Sequence, residues 1–392
     1  MKKNAIYKLN SYFISLIFFL VIFIPFSISV FKVDNEVSMV EKRKLSKLPK
    51  LPVNIKEIER FPAMFNRYYA DHFGLRELFT HYYKMLKYSI GDSSSEHVTI
   101  GKNGWLFLGS IKNDYKGYSD PIGDVRNINL YSQQELEEFS LHINRLSDWL
   151  AKKGIQYIFI IAPNKHTIYF DQLPGNILKV NENSATDQLI NYLREHSTIT
   201  QVDLRPALIN AKQDHQLYYK TDTHWNGYGA NIAQYEIMLE IEKLFPGKIQ
   251  PELQNIEDLV FSDGDLANFI GIDINRIYAK PIFKNTCQPR KQPANATGST
   301  PYTLICDTQK LNGVIFKDSF FNALQLHFSR KFNRSTYIDG KLDYPSLVKY
   351  IAQEKPDIII EEWAERKLPY VPKVSAEFDE ALSSLKQEAL IN

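Results

Sequence analysis

From about residue 133 onward, short apolar runs alternate with segments of helical periodicity, and this rhythm limits the fold more than any other feature of the chain. Tyr157-Ile158-Phe159-Ile160-Ile161-Ala162 is apolar at every position and is stopped by Pro163. A strand with apolar side chains at both parities has both faces covered, as in a parallel sheet held between helical layers. Gly313-Val314-Ile315-Phe316 and Asp357-Ile358-Ile359-Ile360 are short apolar runs of the same kind, and Ile199 to Leu204 reads as a further strand. Helical spacing covers Ser132 to Lys153, Asp187 to Glu195 and Tyr228 to Phe245, the last stopped by Pro246-Gly247. The order predicts an α/β sandwich around a central, mostly parallel sheet. Ahead of it, Val98-Thr99-Ile100 and Trp105-Leu106-Phe107-Leu108 flank a turn and predict a hairpin, whereas residues 246–310 break the rhythm and read as an insertion with local strands.

Residues 11–31 carry no charge and reach the roughly 20 residues that a helix needs to span a bilayer. Pro25 is compatible with such a helix. A cleaved signal peptide would have a shorter apolar core and a small-x-small site, which Ser27-Ile28-Ser29 imitates poorly, so the segment reads as an uncleaved anchor. Lysines on both flanks leave the orientation undecided by charge; export of the long domain behind a short basic tail is the expected arrangement. Residues 1–10 are then a cytoplasmic tail, 32–95 a tether and helical lead-in, 96–375 the catalytic domain and 376–392 a C-terminal tail.

A net charge of +2 with both signs interspersed offers no basic block, and no nucleic-acid module is found. Cys287 and Cys306 enclose a short loop; they are either a disulfide of an oxidising compartment or two buried thiols, and spacing alone does not choose. No cluster of His, Cys, Asp and Glu has zinc-like spacing, so neither a catalytic metal nor another cofactor is expected.

The chemistry concentrates in two places. In Thr221-Asp222-Thr223-His224-Trp225-Asn226-Gly227 a carboxylate precedes an imidazole by two residues. On an extended backbone the two would share a side, letting Asp222 accept the Nδ1 proton of His224 and leaving Nε2 as a base. In Lys317-Asp318-Ser319 a serine follows an apolar strand and precedes Phe320, Leu324, Phe328 and Phe332 at helical spacing. A serine at such a strand-to-helix junction is raised at the sheet edge as a nucleophile, beside the amides of a helix N-terminus. Gly91-Asp92-Ser93 spells a more familiar nucleophile triplet but lacks a buried strand before it.

Asp222-Thr223-His224-Trp225, Lys317-Asp318-Ser319-Phe320, Gly101-Lys102-Asn103-Gly104-Trp105-Leu106-Phe107 and Pro163-Asn164-Lys165-His166-Thr167-Ile168-Tyr169 together resemble the DHHW family. So do Gly264-Asp265-Leu266-Ala267 and the segment from Pro356 to Arg366. This is the SGNH-hydrolase-like group that includes alginate O-acetyltransferases of bacterial exopolysaccharide machines. The resemblance runs collinearly over about residues 40–370 and implies Ser319 as nucleophile, His224 as general base and Asp222 as its orienter. Thr223 departs from the histidine of the family motif, a change expected to affect the neighbourhood and not the chemistry. The chain ending at Asn392 is expected to be the anchored, single-domain type without a carbohydrate-binding module.

The expected activity is acetyl transfer through an acyl-serine to hydroxyls of an extracytoplasmic polysaccharide, with acetyl supplied by a membrane-bound acyltransferase. The expected place is the inner membrane, single-pass, with the catalytic domain in the periplasm or at the extracellular face. Asn164 is a candidate oxyanion donor, and Lys165, Trp225, Tyr228, Trp363 and Arg366 are candidate glycan contacts. An acetyl esterase with the same triad, or a non-catalytic glycan-binding subunit, are the alternatives.

Overall fold

The structure is a computed structural model that describes residues 2–31, 37–38, 43–110, 120–261, 264–272, 276–284, 287–292 and 301–372. The expected tail at 376–392 and part of the tether, 32–36 and 39–42, lie outside the described residues. The chain divides into two compact units, one of Met1–Ser94 with Ile270–Ile272, the other of Ser95–Phe269 with Asp273–Asn392.

The first unit holds the helix α1 (Lys2–Phe31), the two-residue strands β1 (Val37–Ser38) and β2 (Arg43–Lys44), and the helices α2 (Ile55–His72) and α3 (Arg76–Ser89). Within α1, Tyr12–Ser29 is long and apolar enough to cross a membrane. Asn54 starts α2 by accepting the amide of Glu57, the usual way of satisfying an orphan N–H at a helix start. Ser93 follows α3, a helix, and so lacks the strand that a nucleophile elbow needs.

The second unit opens with the hairpin β3 (Val98–Ile100) and β4 (Leu106–Leu108). There follow α4 (Pro121–Val125), α5 (Gln133–Ala151), β5 (Gln156–Ala162), α6 (Lys165–Ile168), α7 (Ala185–His196), β6 (Thr200–Asp203), α8 (Arg205–Ala211) and α9 (Gly227–Leu244). Next come β7 (Asn255–Phe261), α10 (Asp265–Ile270), β8 (Arg276–Ile282), β9 (Arg290–Gln292), β10 (Tyr302–Ile305), β11 (Asn312–Lys317), α11 (Phe321–Lys331), β12 (Arg334–Asp339), α12 (Tyr344–Glu354) and β13 (Ile358–Ala364).

Seven strands form the central sheet in the order β6-β5-β13-β11-β12-β10-β9. The first five are mutually parallel, and β10 and β9 add an antiparallel edge. Strand parity divides the core as the sequence predicts: Ile158 and Ile160 of β5 face one cluster with Ile237, Leu324 and Phe328, while Tyr157 and Phe159 face another with Phe139, Leu189 and Leu347. Helices α9 and α11 therefore cover one face and α5, α7 and α12 the other, the layering of an SGNH-like α/β sandwich. Residues 246–310 are not wholly an insertion of local strands: among the described residues β7 and β8 pair only with each other, but β9 and β10 extend the central sheet. Cys287 and Cys306 are joined as a disulfide across that edge.

Candidate active site

The carboxyl ends of the parallel strands converge on one edge, where open α/β sheets bind ligands. There β11 ends at Lys317 and turns sharply into α11, leaving Ser319 exposed between the buried Asp318 and Phe320. The turn is held from behind. Asp318 accepts the amides of Phe320 at 2.9 Å and Ala364 at 3.0 Å, takes an ion pair from Lys367 at 3.0 Å, and gives its own amide to Glu362 at 2.9 Å. Burial opposes ionisation of Asp318, but the Lys367 and Arg366 charges and the Phe320 amide outweigh it and hold the carboxyl below its ordinary range. Glu362 is pushed well above the usual value by burial and by the Asp318 charge, so it stays neutral beside its anionic neighbour.

His224 arrives on the segment before α9. Its Nε2 lies 2.7 Å from Ser319 Oγ, and its Nδ1 lies 2.7 Å from Asp222 Oδ1. The Asp-x-His pair is not made by strand alternation: residues 220–224 form turns and bends, and the same Asp222 oxygen also accepts the His224 amide at 3.1 Å. That local closure is an Asx-type turn, which seats carboxylate and imidazole together without a neighbouring strand. Burial works against the Asp222 anion, but the hydrogen bonds and charge of His224 with the His224 and Asp265 amides hold its carboxyl well below the usual range.

A second carboxylate, not foreseen as a site residue, completes the arrangement. Asp265 accepts the Thr223 amide at 2.8 Å and the Thr223 hydroxyl at 2.5 Å, and its Oδ2 is 3.9 Å from His224 Nδ1. The Thr223 hydroxyl is also 3.2 Å from that nitrogen. Gly264 permits this approach, because a Cβ there would stand 2.4 Å from the Thr221 carbonyl oxygen. Among the described residues, Asp222, His224 and Asp265 are the one group with ligand atoms close enough for a cation, all within 4.8 Å of one another. Both imidazole nitrogens already have hydrogen-bonding partners, so the geometry shown is that of an oriented base.

The triad opens into a cavity of about 400 Å³ lined by Tyr219, Trp225, Tyr278, Phe320 and Leu326. Tyr219 and Tyr278 stack in parallel planes, ring centroids 6.3 Å apart. Sequence reasoning missed both; Tyr278 lies in the segment read as an insertion, and no local spacing ties it to Asp222.

Three of the five candidate glycan contacts, Lys165, Trp225 and Trp363, are buried. Lys165, 2% exposed, donates to the carbonyls of Tyr219, Lys220 and Asp222 at 3.1, 3.3 and 2.7 Å, and burial pulls its pKa down to about 7 against the pull of Asp265 and Asp222. It fastens the loop that carries the base. Trp225, 1% exposed, donates Nε1–H to the Phe320 carbonyl at 3.0 Å and so ties that loop to the turn that carries Ser319. Trp363 packs in the core between Phe139 and Phe159 and donates to Glu361 at 2.8 Å. Tyr228 stacks on His215 in a different cavity, of about 310 Å³. Arg366 is half-buried, its guanidinium over the Phe320 ring and its NH1 donating to Asn164 Oδ1 at 3.3 Å. Asn164 is itself buried.

Residues 98–339 match the family described as "SGNH hydrolase-like domain, acetyltransferase AlgX". A curated relative from Azotobacter vinelandii, named "Probable alginate O-acetylase AlgJ", is 27% identical over 238 residues, which are 59% of this chain and 54% of that protein. A relative of the same name from Pseudomonas putida is 23% identical over 337 residues, 81% of this chain and 82% of that one. The chain thus spans about half the length of the first relative. Among solved structures, the O-acetyltransferase domain of Pseudomonas putida AlgJ superposes with a TM-score of 0.48 at 18% identity, covering 74% of this chain and 99% of that one.

Proposed function

The chain belongs to the SGNH hydrolase-like family typified by the acetyltransferase AlgX, and from that premise we propose that it is a serine O-acetyltransferase acting on hydroxyls of a polysaccharide outside the cytoplasm. One observation carries the reading: an exposed Ser319 hydroxyl sits 2.7 Å from an imidazole whose far nitrogen is held by a half-buried carboxylate. Ser319 gives its proton to His224 Nε2 and its oxygen attacks the acetyl carbonyl; Asp222 keeps the proton of the other nitrogen in place. The Phe320 amide is committed to Asp318, so the oxyanion falls to the Ser319 amide and the Asn164 side chain. Arg366 on Asn164 Oδ1 supports that assignment, because it leaves the NH2 end of the amide to donate. Collapse of the intermediate returns the proton to the leaving oxygen and leaves acetyl on Ser319. A sugar hydroxyl, deprotonated by His224, then takes the acetyl group and restores the serine.

The acceptor class rests on the names of the relatives and on the stacked tyrosines that line an open cavity. We assign the chemistry to residues 96–375, anchor the chain in the inner membrane through α1 with this part in the periplasm, and take the acetyl source to be a membrane-bound acyltransferase. The disulfide supports an oxidising compartment.

Mass spectrometry after exposure to a chromogenic acetyl ester should find an acetyl adduct on the peptide containing Ser319 and none in Ser319→Ala. Full turnover by Ser319→Ala would end the proposal. Offering a glycan oligosaccharide in the same assay separates transferase from esterase, since a transferase sends most of the acetyl to the sugar and an esterase sends it to water.

A further inference from the structure

The helices that follow the membrane span carry apolar stripes that the fold leaves bare. On α2 the stripe is Ile55, Ile58, Phe61, Phe65 and Tyr69, with Ile55 75% and Ile58 57% exposed. On α3 it is Phe79, Tyr82, Leu86 and, just past the helix, Ile90, with Tyr82 63% and Leu86 61% exposed. The spacing in both is that of one helix face, and the opposite face of α2 carries Lys56, Arg60 and Arg67. A helix whose apolar face meets only water gains nothing from that face, so each stripe requires a partner.

The turn between the two helices fixes which partner. Gly74 seats against the end of the span: its amide donates to Ser29 Oγ at 2.6 Å, and a Cβ on it would lie 2.0 Å from the Pro25 carbonyl oxygen. Pro25 is buried by this contact, while the rest of Tyr12–Ser29 stays almost wholly exposed, as lipid-facing residues must be. From Pro25 to the end of the span at Ser29 is four residues, about 6 Å at helical rise. That is within the roughly 5–10 Å to which an interfacial helix sinks its apolar face. The turn therefore meets the span at the depth of the bilayer boundary.

Composition agrees with depth. Tyrosine is a usual occupant of the membrane–water boundary, and phenylalanine and leucine are usual on the apolar face of an interfacial helix. Between residues 43 and 94 there are ten Lys and Arg against five Asp and Glu, a surplus that favours anionic headgroups.

We propose that α2 and α3 form an interfacial hairpin that lies on an anionic lipid surface beside its own transmembrane anchor. This goes beyond acetyl transfer and does not depend on it. The occupant is the bilayer, because the stripes follow directly on, and their turn is seated against, a helix long and apolar enough to cross a membrane.

The test uses the full chain in vesicles of phosphatidylcholine and phosphatidylglycerol, with a nitroxide on Ile58→Cys, Leu86→Cys or, as the aqueous control, Arg67→Cys. All three positions are exposed, so labelling leaves packing undisturbed. Collision with oxygen relative to a water-soluble nickel chelate should be severalfold higher at 58 and 86 than at 67, and the difference should shrink in pure phosphatidylcholine. Equal, water-like ratios at all three positions overturn the proposal. Water-like ratios in vesicles with shielding only in native membranes overturn it in favour of a protein partner. Failure of the chain to float with vesicles overturns the premise that α1 spans, and leaves acyl-serine formation untouched.

Discussion

His224 is gripped through both ring nitrogens, and the grip on Nδ1 is shared between Asp222, in contact at 2.7 Å, and the Thr223–Asp265 pair beyond it. Replacing Asp222 by Asn keeps the shape but lets the ring take the wrong tautomer, so kcat for ester hydrolysis should fall about 10⁴-fold with folding intact. Measured kcat within a few-fold of the parent would mean that the imidazole is oriented by something else. Asp265 acts through Thr223, so Asp265→Asn and Thr223→Val should each lower kcat about tenfold and, combined, cost little more than either alone. A double variant whose losses simply multiply would show that the two do not form a unit. Asp124 supplies a pH dependence of a different kind. Burial pushes its carboxyl up to about 7, the charges of Glu365 and Asp120 adding to this against the Asn129 hydrogen bond, and its Oδ2 is buried without a partner. The unfolded carboxyl ionises near 4, so the folded state binds the extra proton between there and 7. The contribution of Asp124 to stability is complete below about pH 4 and is lost as pH rises to 7. In Asp124→Asn that decline should disappear, which thermal melts at pH 5 and pH 8 would read as a smaller difference than in the parent.

Among the elements, the site is made where the β11–α11 turn meets the loop before α9, and two buried side chains hold the meeting. Trp225 ties the loop to Phe320, and Lys165, at the start of α6, draws three loop carbonyls to one nitrogen. Lys165→Met fills the volume but leaves those carbonyls unanswered, so stability should drop by about 3 kcal/mol and kcat more than KM should suffer. Unchanged kcat, read beside a denaturant midpoint, would detach Lys165 from the site. Here the limits of the sequence are physical. Ser319, His224 and Asp222, which the fold brings within hydrogen-bonding reach of one another, could be proposed together because each sits in a local pattern, a strand-to-helix junction or a two-residue spacing. Lys165, Trp225 and Trp363 were named as candidate ligand contacts from residue type, which does not report burial; the structure buries all three and gives each an internal acceptor. Asp265 and Tyr278 reach the site by a return of the chain from past α9, which no window of sequence encodes. The strands β5, β11 and β13 were readable from their two-sided apolar runs; the parallel β12, with Arg334, Ser335, Thr336 and Asp339, and the edge strands β9 and β10 carry too many polar residues to be read as part of the same sheet.

At the scale of the whole molecule, the proposed catalytic residues and the proposed membrane anchor fall in different units. Both apolar clusters and all three triad residues lie beyond Ser95, the earliest core member being Trp105. The sheet is complete within that unit, and so is the disulfide at its edge. A domain with its own core folds alone when no strand or core layer is borrowed from elsewhere. A chain beginning at Ser95 should therefore be water-soluble, form the acetyl adduct on Ser319 and hydrolyse a small ester within a few-fold of the full chain. It should also fail to float with vesicles, since the span and the bare stripes of α2 and α3 are gone. The informative comparison is between donors. With a small ester and water, both partners diffuse, and attachment adds nothing to the rate. If acetyl instead arrives from a membrane-embedded donor, the attached form gains the advantage of high local concentration, which the truncated form lacks. Membranes carrying such a donor should then support glycan acetylation by the full chain at rates orders of magnitude above those of the truncated chain, although the two are equal on the soluble ester. Equal rates in both assays would place the acetyl supply in solution and leave the anchor with no part in the reaction.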